Sequence, residues 1–236
     1  MPGSAREILA LPTGPAAVLW RRSARARKVS LRIDPRRGGV VVTLPLRATE
    51  AAGLALLRDH AAWVADRLAR LPDPVLFAEG AAIPIGGVPH RIRHVPGGHG
   101  GASIEGHAVL VYGAAEFLSR RVADFLRAEA RRRLSVLAVA KAAAARLTPR
   151  RVVVKDTRTR WGSCTADGTL MFCWRLVMAP PLVQDYVVGH EVAHLRHMDH
   201  GPGFWALVTQ LTPHRRAATQ WLDAHGSGLM RVGEPG

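Results

Sequence analysis

Cysteine is scarce in this chain: two residues, Cys164 and Cys173, in 236. Two thiols in a chain of this length do not make a disulfide framework. An Asp167-Gly168 hairpin turn of type I′ geometry pairs Cys164 with Met171 and Cys173 with Gly162, leaving the sulfurs diagonal; a reducing, cytoplasmic setting is expected. No run approaches the 20 apolar residues of a membrane-spanning helix, so no membrane insertion is expected. Met1 to Gly14 lacks a lysine- or arginine-led apolar stretch, so no secretory signal is expected. Acidic residues are also few, 18 against 33 lysines and arginines, giving a formal charge of +15. Such a field attracts nucleic acid, anionic surfaces or acidic substrates. The excess is nearly all arginine beside abundant alanine, a bias that a GC-rich genome produces without any nucleic-acid role. Hydrophobic content of 48% with 22% charged residues is that of a folded protein rather than a disordered one.

What the chain does contain converges on Gly189-His190-Glu191-Val192-Ala193-His194, followed by His200. Histidines four apart on a helix project from one face, one turn above the other, and can reach a common metal ion. Glu191, between them, sits where a carboxylate can touch a water at that metal without being a ligand. A catalytic zinc takes three protein ligands and keeps a fourth position open. His197, Asp199 and His200 are the downstream candidates for the third. His197 stays near the same helix face but a turn further along. His200 lies about 240° round an unbroken helix, so it ligates only if the chain turns back. Asp199-His200-Gly201-Pro202-Gly203 supplies a turn, and His200 is favoured with His197 as the alternative.

The chain around this motif reads as an α+β protein. Residues 1–17 show no periodicity and suggest a loose tail. Residues 18–113 suggest a β-rich part: a hairpin of Val29–Ile33 with Val40–Leu44, a helix from Thr49 to about Leu71 with Trp63 in its core, then short antiparallel strands over 75–112. Arg21 to Arg32 make the first hairpin very basic, read as a solvated face that guards an edge or as a binding stripe. His90, His94, His99 and His107 have no metal-like spacing and are expected to face solvent. Residues 114–230 suggest the catalytic part: one long helix or two over 114–147, a strand at Val152–Val154, a hairpin around Gly168, a metal-binding helix from Pro180-Pro181, a short helix at Phe204–Leu211, and a last helix from Pro213 to His225. The two parts could also be one continuous domain. Gly189 within the metal-binding helix implies a close packing neighbour or room beside a metal.

Arg158-Thr159-Arg160-Trp161-Gly162-Ser163-Cys164, Trp174-Arg175-Leu176, Asp185-Tyr186-Val187-Val188 leading into the His-Glu helix, His200 and Phe204-Trp205 together resemble the YgjP-like metallopeptidases, zinc-dependent hydrolases related to the SprT-like zincins. The resemblance is close over 151–222 and looser from about Trp20 to Leu71. It implies a zincin-like helical part with a small antiparallel sheet, one Zn2+ on His190, His194 and His200, and Glu191 as the catalytic carboxylate acting on a peptide or protein substrate. Zincins offer the strand beside the metal helix to an extended substrate, so Arg160 and Trp161 could line the cleft; Trp161 as a core aromatic and Arg160 as an ion-pair partner are the alternative. Tyr186, Arg160, His214 and His225 are candidates to steady an oxyanion. SprT-like relatives also suggest an alternative, a DNA-associated protease or binding factor that uses its basic surface. Cys173, Gly189, Asp199 and Gly201 depart from the residues usual in the family, and none removes a proposed ligand.

Overall fold

Pro72-Asp73-Pro74 interrupts the chain, and the computed structural model, which describes residues 6–233, divides there into two compact units. The sequence places the boundary near residue 114 instead.

In the first unit, alternating apolar residues build a four-stranded sheet. Its strands are β1 (Arg6–Leu11), β2 (Gly14–Ser23), β3 (Ser30–Asp34) and β4 (Gly39–Pro45), in the order β1-β2-β4-β3. β3 and β4 form the expected antiparallel hairpin, whereas β2 and β4 run parallel. The loose tail is corrected: residues 6–17 pair as β1 and the start of β2, from Arg6↔Leu19 to Leu11↔Gly14. β1 is an edge strand with Ile8 76% exposed, so its contribution to the core leaves little periodic signal. Residues 1–5 lie outside the described residues.

Two helices cover this sheet, α1 (Glu50–Asp59) and α2 (Ala61–Ala69), where one was expected. Thr49 caps α1 through its hydroxyl, which accepts from Ala52 N at 3.2 Å, and the chain breaks at His60 with φ −106° and ψ 17°. Val18, Val40, Val42, Leu44, Leu57 and Val64 form the core between the layers. Trp63 is not in it; the break at His60 rotates that residue outward, leaving it 41% exposed.

Among its described residues the second unit holds two small sheets and four α-helices. β5 (Ala82–Ile85), β6 (Val88–Val95), β7 (Ala102–Glu105) and β8 (Ala108–Tyr112) pair in the order β5-β6-β8-β7. Two hairpins lie side by side with β6 and β8 parallel, so the sheet is mixed rather than antiparallel. His90 is buried, with Nδ1 2.8 Å from the Val88 carbonyl, because inward positions of β6 alternate through it; solvent exposure was expected there.

α3 (Leu118–Ala144) is a single helix whose buried stripe is Val122, Leu126, Ala130, Leu134 and Ala138. It packs on α4 (Pro181–Ala193) and on a short 3-10 segment, Trp174–Met178, that precedes α4. β9 (Arg151–Lys155), β10 (Gly162–Cys164) and β11 (Thr169–Cys173) form a three-stranded sheet in the order β10-β11-β9. β9 runs parallel to β11, so this sheet is also mixed.

The β10–β11 register is one residue from that expected: Cys164 pairs with Leu170 and Ser163 with Met171. Within the turn only Gly168 takes positive φ (80°), while Gly168 N donates to Thr165 O and Thr165 N to Thr169 O. That is a three-residue loop with a bulge, not a two-residue type I′ turn. Both cysteines are free.

α5 (Pro202–Leu211) and α6 (Arg215–Met230) complete the unit. α6 continues through Gly226-Ser227-Gly228, past its expected end at His225. Leu229 and Met230 bury at its end, and Gly226 packs on Trp161, whose indole would make an ordinary 3.4 Å contact with a Cβ there. Lys141 of α3 binds Asp185 of α4 at 2.6 Å and donates to the Leu211 carbonyl of α5 at 2.6 Å, tying together three helices around the candidate site.

Candidate metal centre

Proline at the first position of α4 starts the helix without wasting an amide, and Val183, Val187, Val188 and Val192 bury its inner face. Gly189 meets a close neighbour: a Cβ there would come 3.2 Å from Thr212 Cγ2. The helix ends at Ala193, His194 is its C-cap, and the chain turns through Asp199-His200-Gly201 into α5. The turn carries His200 back over α4, so that one ring nitrogen from each of His190, His194 and His200 lies within 4.8 Å of the others.

His190 Nε2 and His200 Nε2 are 3.3 Å apart. Two such nitrogens must share a proton or a cation, and tetrahedral zinc at about 2.0–2.1 Å separates its ligand nitrogens by about 3.3–3.4 Å. His194 Nδ1 lies 2.9 Å from the His197 carbonyl; donating there leaves its other ring nitrogen free for a metal. Burial drives the His190 pKa down to about 4, with the positive charges His194, His200 and Arg215 would carry adding to it. Burial likewise lowers His194. Both rings are therefore held neutral, the form that ligates. The donor set and its spacing fit a divalent metal. His197, the alternative third ligand, contributes its carbonyl instead, and neither its ring nor Asp199 joins the cluster.

Phe204, fully buried, places its ring 4.5–4.9 Å, centroid to centroid, from all three imidazoles. Trp205 packs beside His200 at 5.7 Å, and the Arg215 guanidinium lies 3.5 Å over the Trp205 ring. Arg215 was not singled out from the sequence, since nothing in its spacing relates it to His190; only the return of α6 brings it there.

Glu191 is 7% exposed, and burial raises its pKa to about 7 against the lowering influence of Arg160. β10 crosses it closely at Gly162, where a Cβ would stand 2.5 Å from Glu191 Cγ and 2.7 Å from Oε1. Glycine is what lets this carboxylate and the strand share the space. Burial, then the Glu191 and Asp167 carboxylates, push the Cys164 thiol up to about 11, so it stays protonated.

Arg160 is exposed, at the entry to β10. Trp161 packs into the core against Gly226, and its carbonyl accepts from Cys173 N at 2.8 Å. Of the oxyanion candidates, Tyr186 is buried with its ring 5.9 Å from His190. His225 instead stacks on Trp221, its Nδ1 3.0 Å from the Trp221 carbonyl, and His214 is the N-cap of α6.

Nothing among curated proteins or solved structures matches this chain. A family model described as YgjP-like, metallopeptidase domain, does match, over residues 27–225, a span that includes the three clustered imidazoles and Glu191. The chain belongs to the YgjP-like family and carries its metallopeptidase domain.

Proposed function

We propose that this metallopeptidase is zinc-dependent, with His190, His194 and His200 holding one Zn2+ and Glu191 acting as the general base. The observation that carries the reading is the convergence of three imidazoles, with the buried carboxylate of Glu191 next to His190 on the same helix. When bound, the ion would supply Lewis acidity, bringing the pKa of a water towards 7 and polarising a carbonyl. Glu191 takes a proton from the attacking water and passes it to the departing amine, a task for which a pKa near 7 is suited. Gly162 keeps the carboxylate's position open, and Phe204 shields the imidazoles from bulk water on one side.

β10 is an edge strand lying against α4, a placement that suits backbone pairing with an extended peptide. In this reading Arg160 contacts the substrate beside that edge and Trp161 supports it from the core side. Arg215 and Tyr186 are the groups best placed to steady negative charge near His190. A reducing, cytoplasmic compartment is part of this proposal, and two free thiols suit it.

Glu191→Gln tests the reading. It should retain one zinc per chain and lose peptide hydrolysis by about 10²–10⁴-fold. Hydrolysis near the wild-type rate in that variant would refute the role of Glu191.

A further inference from the structure

β3 is an edge of the first unit's sheet, with no strand beside it among the described residues; of its carbonyls, that of Ile33 accepts from the Arg32 guanidinium at 3.3 Å, and an edge strand leaves its outward backbone groups without a strand partner. Against it opens a cavity of about 420 Å³ lined by Val29, Leu31, Leu56, His60 and Trp63. Val29 and Leu31 are two apart and point to the face that α1 and α2 cover. Leu56 and Trp63, from the two helices, form the opposite wall, with His60 at the break between them. A further strand beside β3 would direct every second side chain into this cavity. Around the approach to β3, Arg25, Arg27 and Lys28 are exposed and have no ion-pair partner among the described residues; nor has Arg58 in the last turn of α1.

We propose that this edge and cavity form a docking surface for an extended segment of a partner protein, apolar at alternate positions and acidic between them. The edge supplies main-chain pairing, the cavity takes the apolar side chains, and the unpaired cations meet the carboxylates. The walls favour a peptide over nucleic acid. Three of the five lining side chains are aliphatic, and Trp63 is the one tryptophan among them, too few aromatics to stack successive bases. The edge also offers carbonyl acceptors that a phosphate backbone cannot use. Two copies of this chain pairing edge to edge would bring the same cations together, which opposes that occupant.

The test is fluorescence anisotropy on the full chain with a labelled nine-residue peptide alternating glutamate and valine. Saturable binding should weaken about tenfold in Trp63→Ala, since a half-exposed aromatic in an apolar pocket is a typical anchor. The double variant Arg27→Glu, Lys28→Glu changes only exposed side chains and should weaken binding as much. Peptide N-methylated at alternate residues on its pairing side should not bind. Absence of saturable binding to about 1 mM overturns the proposal, as does binding indifferent to both variants and to N-methylation. Displacement of the peptide by single-stranded oligothymidine at equal concentration overturns it in favour of nucleic acid. A Trp63-dependent dimer in sedimentation overturns it in favour of self-association.

Discussion

Replacing Gly162 with alanine adds one methyl group, at the point where β10 crosses the carboxylate. The new Cβ would stand 2.5 Å from Glu191 Cγ, 2.9 Å from Cδ and 2.7 Å from Oε1, all under 3.0 Å. Contact between such atoms is relaxed at about 3.5–4.0 Å, so roughly 1 Å must be recovered by moving the carboxylate or the strand. Glu191 is buried, so its side chain has little room to swing aside. Overpacking of this kind costs about 1–3 kcal/mol of stability. A displacement near 1 Å at a catalytic group costs about 100-fold in rate. The imidazoles are not touched, so zinc content should be unchanged. Thermal unfolding, metal analysis and kcat/KM on a peptide substrate give the three readings together. Gly162→Ala with wild-type kcat/KM would refute the reasoning, because the carboxylate would then have tolerated displacement or would not be catalytic.

Lys141→Met should destabilise the second unit by about 1–3 kcal/mol, since it leaves Asp185 without its cation and the Leu211 carbonyl without its donor; urea unfolding measures it. Asp167→Asn concerns the hairpin beyond β10. Hydrogen bonds from the Thr165 hydroxyl, then the Thr169 N–H and hydroxyl, hold the Asp167 carboxyl well below the usual carboxylate range, with Arg150 adding to them. Its folded pKa is depressed, so its stabilisation is present above the unfolded value, near pH 4, and fades as pH falls through the folded one. The Tm difference between wild type and Asp167→Asn should therefore be largest at neutral pH and shrink on acidification; a difference growing towards low pH would contradict this assignment.

The α+β class was legible in the sequence, and so was the convergence of three histidines. His190 and Glu191 lie in one helix and His194 caps it with its backbone still helical, so spacing alone fixes the face, and the Gly201-Pro202 turn pointed to His200 over His197. Gly162 and Arg215 were not legible, because each matters only through a partner distant in sequence. The same holds for the sheets. The β3–β4 hairpin shows in local alternation, but the parallel pairings β2–β4, β6–β8 and β9–β11 join strands that no turn connects directly. One residue of loop length at Gly168 shifted the β10–β11 register. α6 overrides its glycines because Leu229 and Met230 bury beyond them, a tertiary gain invisible to propensity.

The most direct test is zinc content measured on two single variants beside the wild type. His200→Ala removes a ring nitrogen from the cluster, whereas His197→Ala preserves the backbone carbonyl that orients His194. One tightly held zinc per chain is expected in the wild type and in His197→Ala, and its loss in His200→Ala. Zinc retained by His200→Ala and lost from His197→Ala would contradict that expectation.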